Sequence, residues 1–203
     1  MEEQQPDQQG GALPPAEVPG NPETSSTDSP RIYVASLADY NNGYLYGAWI
    51  EADGDPSDIH EGIQAMLSRS PSDLAEEFAI FDHDGFAPWR PGEYESIDMV
   101  AAVAQGIAEH GPPFAHWAEF IKSSDPNDLD SFDDAYLGHW SSVEEYAEDL
   151  IDGTGIFKVD EVPESLRHYI QFDYEGFARD MEMSGDITTS DGDGGVYIFE
   201  GTR

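Results

Sequence analysis

The stretch DDAYLGHWSSVEEYAEDLIDG, residues 133–153, contains seven acidic side chains and no Lys or Arg. Its second half predicts an amphipathic helix, because apolar residues recur at the i, i+3, i+4, i+7 and i+8 spacing of one helix face. These residues are Val143, Tyr146, Ala147, Leu150 and Ile151. Ser142 followed by Glu145 predicts a capping box at the start of the helix.

The opposite face of this predicted helix carries like charges. Glu144 with Glu148, and Glu148 with Asp152, are neighbours at i,i+4, and so are Glu145 and Asp149. Like-charge neighbours at this spacing destabilise an isolated helix by about 0.2–0.5 kcal/mol per pair. Such a face can be a solvated surface of an acidic protein, or it can be kept for a function.

The whole chain shares this acidity. Its 203 residues include 43 Asp and Glu but only eight Lys and Arg, so the formal net charge is -35 and the pI is about 4.1. Yet 38% of the residues are hydrophobic and 12% are aromatic, which is enough apolar material for a core. The composition therefore predicts a folded acidic protein rather than a disordered acidic tail.

Several classes of function are disfavoured by the composition. No window approaches the 18 apolar residues of a membrane span, and the N-terminus lacks the basic and apolar regions of a secretory signal, so a soluble cytoplasmic protein is expected. The absence of Cys excludes disulfides, thiolate catalysis and Cys-based zinc sites. Because the negative charge repels membranes and nucleic acid, the expected partner is basic, and DNA-binding proteins are the largest such class.

Composition and pattern divide the chain into four segments. Residues 1–30 contain six Pro and few apolar residues, which predicts a disordered extension. Residues 31–94 are predicted to form an N-terminal module of a small β-sheet with one helix. Residues 95–134 predict a helical module, and residues 135–203 a C-terminal α+β module that is closed by a β-hairpin. The fold class is therefore α+β, with three modules in an elongated chain.

The predicted elements follow from local periodicity and from turn and capping signals. Strands are predicted at residues 32–37, 44–51, 76–82, 135–140, 187–190 and 196–200, with a turn at 41–43. Besides the acidic helix, helices are predicted at residues 56–67, 96–110, 112–124, 129–132, 163–170 and 174–183.

Catalytic and metal-binding signatures are missing from the sequence. DGDGG, residues 191–195, begins like a calcium loop, but Thr202 stands at position 12, where a bidentate Glu is required. DGDPSD, residues 53–58, places Gln64 at that position and fails in the same way. The six His form no HExxH pattern, and there is no P-loop or GxSxG. The sequence therefore predicts neither an enzyme nor a bound metal or cofactor.

Charge alone leaves two interpretations open. Residues 31–203 hold 37 acidic and all eight basic residues, a net charge of -29. Duplex DNA carries that charge on about 49 Å of its length, or roughly 14 base pairs, so the chain could mimic DNA, and a dimer would double the length. A halophile-type acidic scaffold or binding protein, kept soluble by its carboxylates, would have a similar composition.

Separated motifs favour the first interpretation. They are RIYVASLADYNNGYLYGAWIEA (31–52), GEYES (92–96), DDAYLGHWSSVEEYAEDL (133–150), LRHYIQFDYEGFARDMEMSGDI (166–187) and VYIF (196–199). In this order, over about residues 31–200, the sequence resembles the ArdA-type antirestriction proteins. The resemblance implies a mimic of double-stranded DNA, usually encoded on mobile genetic elements, that blocks Type I restriction-modification enzymes. It also implies an elongated three-module fold that forms a homodimer through the last module.

The opening stretch resembles the antirestriction motif of that family. The matching residues are Leu137, Gly138, Trp140, Ser142, Glu144, Glu145, Tyr146 and Ala147, whereas His139 stands where an acidic residue is expected. The expected phosphate-mimicking acids are Asp133, Asp134, Glu144, Glu145, Glu148, Asp149 and Asp152. The expected motif or dimer-interface residues are Leu137, Gly138, Trp140, Tyr146 and Ala147, of which Trp140 and Tyr146 could equally be core residues.

Overall fold

The computed structural model describes residues 29–155 and 161–201. It combines helices with two three-stranded antiparallel sheets, which confirms the predicted α+β class. The extension predicted over residues 1–30 lies outside the described residues, apart from Ser29 and Pro30. In the part of the chain that the structure describes, no helix has the length and apolar character needed to span a membrane.

The first sheet has the strand order β2-β1-β3, so the first strand lies in its centre. Its strands are β1 (Arg31–Ser36), β2 (Gly47–Glu51) and β3 (Phe78–Asp84). Ile32 and Val34 of β1 are fully buried and share a cluster with Ile59 and Ile63 of helix α2 (Pro56–Leu67). The predicted hairpin of β1 with β2 is confirmed, and Pro56 opens α2 after Asp55 as predicted.

The segment between β1 and β2 differs from the prediction. The predicted strand 32–37 ends at Ser36, and Leu37–Asn41 forms a short helix, α1. The Ser36 hydroxyl accepts a hydrogen bond from the Asp39 N–H at 3.2 Å. The Asp39 carboxylate is buried and accepts hydrogen bonds from the hydroxyls of Ser70 and Ser72. Asp39 thus contacts two residues that are more than 30 positions away in the sequence. It lies in a helix, at a place where local periodicity predicted the end of a strand and a turn.

The central part of the chain is helical, as predicted. Its elements are α3 (Ile97–His110), α4 (Pro112–Ile121), a 3₁₀ helix (Pro126–Ser131) and α5 (Phe132–Ala135). Gly111 lies between α3 and α4 with φ 76°, a conformation that favours glycine. The two helices pack closely, because a Cβ atom at Gly106 would lie only 2.1 Å from the Phe114 ring.

The second sheet has the strand order β4-β6-β5 and packs against two helices. Its elements are β4 (Tyr136–Trp140), α6 (Val143–Thr154), α7 (Glu164–Arg167), α8 (Tyr174–Ser184), β5 (Ile187–Gly192) and β6 (Gly195–Glu200). The predicted closing hairpin is confirmed. Asp193 and Gly194 form its turn, and both have the positive φ that tight Asp-Gly hairpins require.

Among the described residues, the buried side chains form two clusters. The smaller one joins α6, α8 and the second sheet through Ala147, Met181 and Ile198. The larger one spans the first sheet, the central helices and the second sheet. In it, the rings of Trp117 on α4 and Phe199 on β6 lie 5.5 Å apart. The central helices are therefore packed against the second sheet, while the division into three modules stays a prediction.

Candidate functional site

Two serines precede the acidic helix α6, and a glutamate lies in its first turn. The Ser142 hydroxyl accepts a hydrogen bond from the Glu145 N–H at 3.1 Å, as the predicted capping box requires. The Glu145 carboxylate, however, accepts from the hydroxyl and the N–H of Ser141, not from Ser142. These two hydrogen bonds hold the pKa of Glu145 below its usual value. Glu145 therefore has a structural partner, although it is exposed.

The apolar face of α6 anchors the helix to the second sheet. Ala147 is fully buried, and Ile151 is nearly so. Val143, Tyr146 and Leu150 are half-buried, and they pack against the smaller cluster. The predicted apolar face is therefore the buried face, and its packing determines which side chains of α6 point into solvent.

Three acids of α6 have no partner of their own in the described parts of the chain. Glu144, Glu148 and Asp149 are exposed, and no other described residue forms a hydrogen bond or an ion pair with them. Glu144 and Glu148 are one helical turn apart, so their like charges add rather than cancel. Such carboxylates are free to pair with cations of another molecule.

Asp152, at the other end of α6, is tied to the neighbouring helix. The Tyr174 hydroxyl on α8 donates a hydrogen bond to the Asp152 carboxylate at 3.3 Å. Desolvation raises the pKa of Tyr174, and the charges of Asp152 and Glu148 raise it further. Asp152 is therefore exposed, but its carboxylate already forms a hydrogen bond within the subunit.

Asp133 and Asp134 lie on a different element from the other predicted site acids. Both are exposed on α5, before β4 begins. An Asp133 carboxylate oxygen lies 3.7 Å from Nδ1 of His110 on α3. The seven predicted acids are therefore all exposed, but they divide into a pair on α5 and a group of five on α6.

The predicted motif residues join β4 to α6 within one subunit. The indole N–H of Trp140 donates to the Leu137 carbonyl at 3.1 Å, and the Trp140 and Tyr146 rings are 5.5 Å apart. Gly138 has φ 114° at an irregularity in the pairing of β4 with β6, so an L side chain there would be strained. Since Ala147 is fully buried, it positions the helix rather than contacting a partner directly.

His139, which replaces an expected acid, packs against the closing hairpin. Its ring centroid lies 4.9 Å from that of Tyr197, and Nε2 lies 3.2 Å from the Gly192 carbonyl oxygen. Burial raises the pKa of Tyr197, and the hydrogen bond to Asp193 raises it further. His139 therefore holds a structural position in the strand rather than an unpaired charge.

Exposed acids also cover elements that sequence reasoning did not single out. They include Asp58, Glu61, Asp98, Glu109, Asp128, Asp130, Glu175, Asp180 and Glu182. Two of the basic side chains are engaged with carboxylates: Arg31 with Asp84 at 3.1 Å and Lys122 with Glu119 at 3.4 Å. Glu175, Asp180 and Glu182 lie within the motif of residues 166–187, but none of these additional acids was predicted as a site residue, and for most of them the net charge was the only signal in the sequence.

No metal site stands out in the described residues. Across residues 29–155 and 161–201, no group of three or more His, Asp or Glu side chains is arranged to hold a metal ion. Asp193, from the calcium-like DGDGG, accepts a hydrogen bond from the Tyr197 hydroxyl and forms the hairpin turn. The arrangement can therefore offer a field of carboxylates to a basic partner.

Comparison with known proteins agrees with the pattern of motifs and charge. The family model described as "Antirestriction protein (ArdA)" matches residues 32–194. A search of curated proteins found no match. The family match covers the three strands of the first sheet from residue 32 onward, the central helices, all of α6 and the strands β4 and β5, and it ends just before β6. The chain therefore belongs to the ArdA family of antirestriction proteins.

Proposed function

We propose that this protein inhibits Type I restriction-modification enzymes by presenting carboxylates where those enzymes bind the phosphates of double-stranded DNA. The family is one of non-catalytic antirestriction proteins. The inhibitor occupies the DNA-binding groove that the methyltransferase and specificity subunits form, and it blocks restriction, modification or both. It acts in the cytoplasm and binds no nucleic acid itself.

The observation that carries this proposal is the division of α6 into two faces. The buried face holds the helix on the sheet, and Glu144, Glu148 and Asp149 project from the other face without partners among the described residues. A passive helix surface would gain stability from a Lys or Arg at i,i+4, but α6 contains none. The charge therefore serves an external, positively charged surface.

The magnitude of the charge supports an extended contact. The net charge of -29 over residues 31–203 matches that of about 14 base pairs of duplex. An elongated arrangement of the three predicted modules would spread this charge along a groove, and a two-fold dimer would double the length covered. Contact by many carboxylates also means that no single one is essential.

Exposed apolar side chains in the C-terminal segment support the homodimer. Leu166, Tyr169 and Ile170, on and just after α7, are 49%, 76% and 38% exposed. Grouped apolar side chains favour burial in an interface. Trp140 and Tyr146 are only half-buried within the subunit, so the surface that they leave exposed could also take part.

The test is a competition titration at two salt concentrations. A purified Type I methyltransferase core is bound to a labelled duplex that contains its recognition site, and this protein is added as competitor. We expect displacement that weakens steeply as salt increases, because ion pairs between the two proteins are screened.

The control is an acidic protein of similar size and net charge from outside this family, which should not displace the duplex at the same concentrations. Failure of this protein to displace the duplex at either salt concentration would refute the proposal. If its folding also demanded concentrated salt, the alternative of a halophile-type acidic scaffold would be favoured instead.

A further inference from the structure

A groove lies between α3 and the segment that follows α4. It has a volume of about 350 Å³, and α3 lines it with Ala102, Gly106 and Glu109, which fall on one face of the helix. The other wall comes from the 3₁₀ helix and α5. This volume is within the range of sites that accept a small molecule or a large side chain.

The floor of the groove is apolar and aromatic. Phe114, Leu129 and Phe132 line it, and each is at most 6% exposed. The His110 ring stacks on Phe114 with 5.5 Å between centroids and an interplanar angle of 12°, and it lies 4.7 Å from the Phe132 ring. Packing therefore fixes these rings before any partner arrives, and the half-buried His110 exposes more of its ring than Phe114 or Phe132 does.

The rim of the groove is acidic. Glu109, Asp130 and Asp133 line it and are exposed. His110 lies between two of them, with Nε2 3.9 Å from Glu109 and Nδ1 3.7 Å from Asp133. An apolar floor below three carboxylates is complementary to a side chain that has both an apolar plane and a positive charge.

We propose that this groove receives an arginine side chain of the restriction-modification enzyme, one that contacts a DNA phosphate when DNA is bound. This inference rests on the proposed function and adds to it a single preferred contact within the general field of charge. The guanidinium plane packs over the aromatic floor, and its N–H groups donate to the carboxylates of Glu109, Asp130 or Asp133.

Arginine fits this groove better than lysine does. A guanidinium group is planar, weakly hydrated and able to donate two parallel hydrogen bonds to one carboxylate. It also stacks favourably on aromatic rings. The lysine ammonium is compact and strongly hydrated, so entering a groove with an apolar floor would remove water from it without offering a matching plane.

The first test fills the groove without changing the charge. Ala102→Met adds a long apolar side chain to the lining, whereas Ala108→Met adds the same side chain to an exposed position of the same helix. We expect Ala102→Met to weaken binding to the methyltransferase about tenfold or more, as loss of a central arginine contact does, and Ala108→Met to change it less than about twofold. Equal binding by the two variants would overturn the proposal.

The second test removes charge at constant shape. The triple variant Glu109→Gln, Asp130→Asn and Asp133→Asn is compared with Glu144→Gln, Glu148→Gln and Asp149→Asn, since each loses three negative charges. A groove that binds arginine predicts at least about tenfold weaker binding for the first triple than for the second. Equal losses of binding by the two triple variants would show that the carboxylates of the groove act only through the general field of charge, and would overturn the proposal.

The third test needs no restriction enzyme. Arginine amide and lysine amide are titrated to about 100 mM, the range expected for such small ligands, while the NMR signals of the His110 ring are followed. Saturable shifts with arginine amide, reduced in Ala102→Met and weaker with lysine amide, would support the groove. Their absence would overturn it. Because the enzyme takes no part, this failure is distinct from failure of the wild-type protein to displace DNA.

Discussion

Asp39 is an acidic residue with a different role from the exposed carboxylates. Its side chain is only 1% exposed, and the hydroxyls of Ser70 and Ser72 donate hydrogen bonds to it. Burial raises the pKa of Asp39, but the hydrogen bonds from serines lower it more, so that it lies below the usual value. A buried charge of this kind is tolerated because each carboxylate oxygen has a partner.

We therefore expect Asp39→Ala to lower the free energy of unfolding by about 2–4 kcal/mol, because it empties a fully buried position and leaves the half-buried hydroxyls of Ser70 and Ser72 without their acceptor. Urea denaturation measures the loss. The folded pKa lies below the unfolded value of about 3.9. The contribution of Asp39 is therefore present in full above that value, and it is lost as the pH falls through the folded pKa. The deficit of the variant should accordingly shrink in acid.

The matched control is Asp73→Ala, which removes an exposed acid from the loop that carries Ser70 and Ser72. It should change the free energy of unfolding by less than about 0.5 kcal/mol. Equal effects of the two substitutions, or a deficit of Asp39→Ala that is constant down to strongly acid pH, would contradict this role for Asp39.

Residue roles of this kind were only partly predictable from sequence. Ser142 was predicted as a cap because its partner is three residues away. Ser70 and Ser72, which donate to the Asp39 carboxylate, are more than 30 residues away, and no local pattern indicates them. Likewise, Glu145 was predicted as a phosphate mimic, but its contact with Ser141 depends on the backbone path before the helix.

At the scale of elements, α6 separates the energetics of folding from those of binding. Its apolar face is buried, and its acidic face carries repulsive pairs such as Glu144 with Glu148. Removing acids from the exposed face should therefore raise stability, and it should weaken inhibition once several of them are removed.

We expect Glu148→Lys to raise the free energy of unfolding by about 0.5 kcal/mol, because repulsion from Glu144 and Asp152 becomes attraction. Binding to the methyltransferase should change little, since one acid among many is lost. Reversal of Glu144, Glu148, Asp149 and Asp152 together should weaken it by about two orders of magnitude or more. Urea denaturation and the displacement titration measure the two effects.

Glu148→Gln serves as the control, because it removes the repulsion without creating new attraction. Its stability should lie between those of the wild type and Glu148→Lys. Abolition of inhibition by either single substitution would contradict a distributed field of charge.

Elements with strong periodicity were predicted well, and short ones were not. Helices α2 and α6 begin where their capping residues predicted, and α3 begins one residue after the predicted start at residue 96. The helix α1 was missed, because its five residues are too few to show a helical period. The predicted strand 76–82 is displaced to Phe78–Asp84, since its ends are fixed by pairing with β1, up to the partners Arg31 and Asp84.

At the scale of the whole molecule, charge was the most informative property of the sequence. It indicated a basic partner before any motif was considered, because it depends only on composition. The groove beside α3 was not predictable, since it is formed by segments that are brought together only by folding. The contact of Trp117 with Phe199 was invisible for the same reason.

Inhibition should be independent of divalent metal. The proposed contacts join carboxylates directly to basic side chains, and the described residues offer no cluster suited to a metal ion. The displacement titration is repeated with excess chelator, with an untreated sample as control. We expect the same displacement curve in both. A loss of displacement that added calcium restores would show that a metal ion takes part.

The two faces of α6 should also differ in how they change during evolution. Substitutions at Ala147 or Ile151 alter a packed interior and should be removed by selection for folding. On the solvent side, Asp and Glu can replace each other, and their positions can drift by a residue, provided that the charge persists. A restriction enzyme has less freedom, because the basic residues that bind this surface under the proposed mechanism are those it needs for DNA. Lineages of the inhibitor could therefore diverge widely in acidic sequence and still act on the same host enzyme.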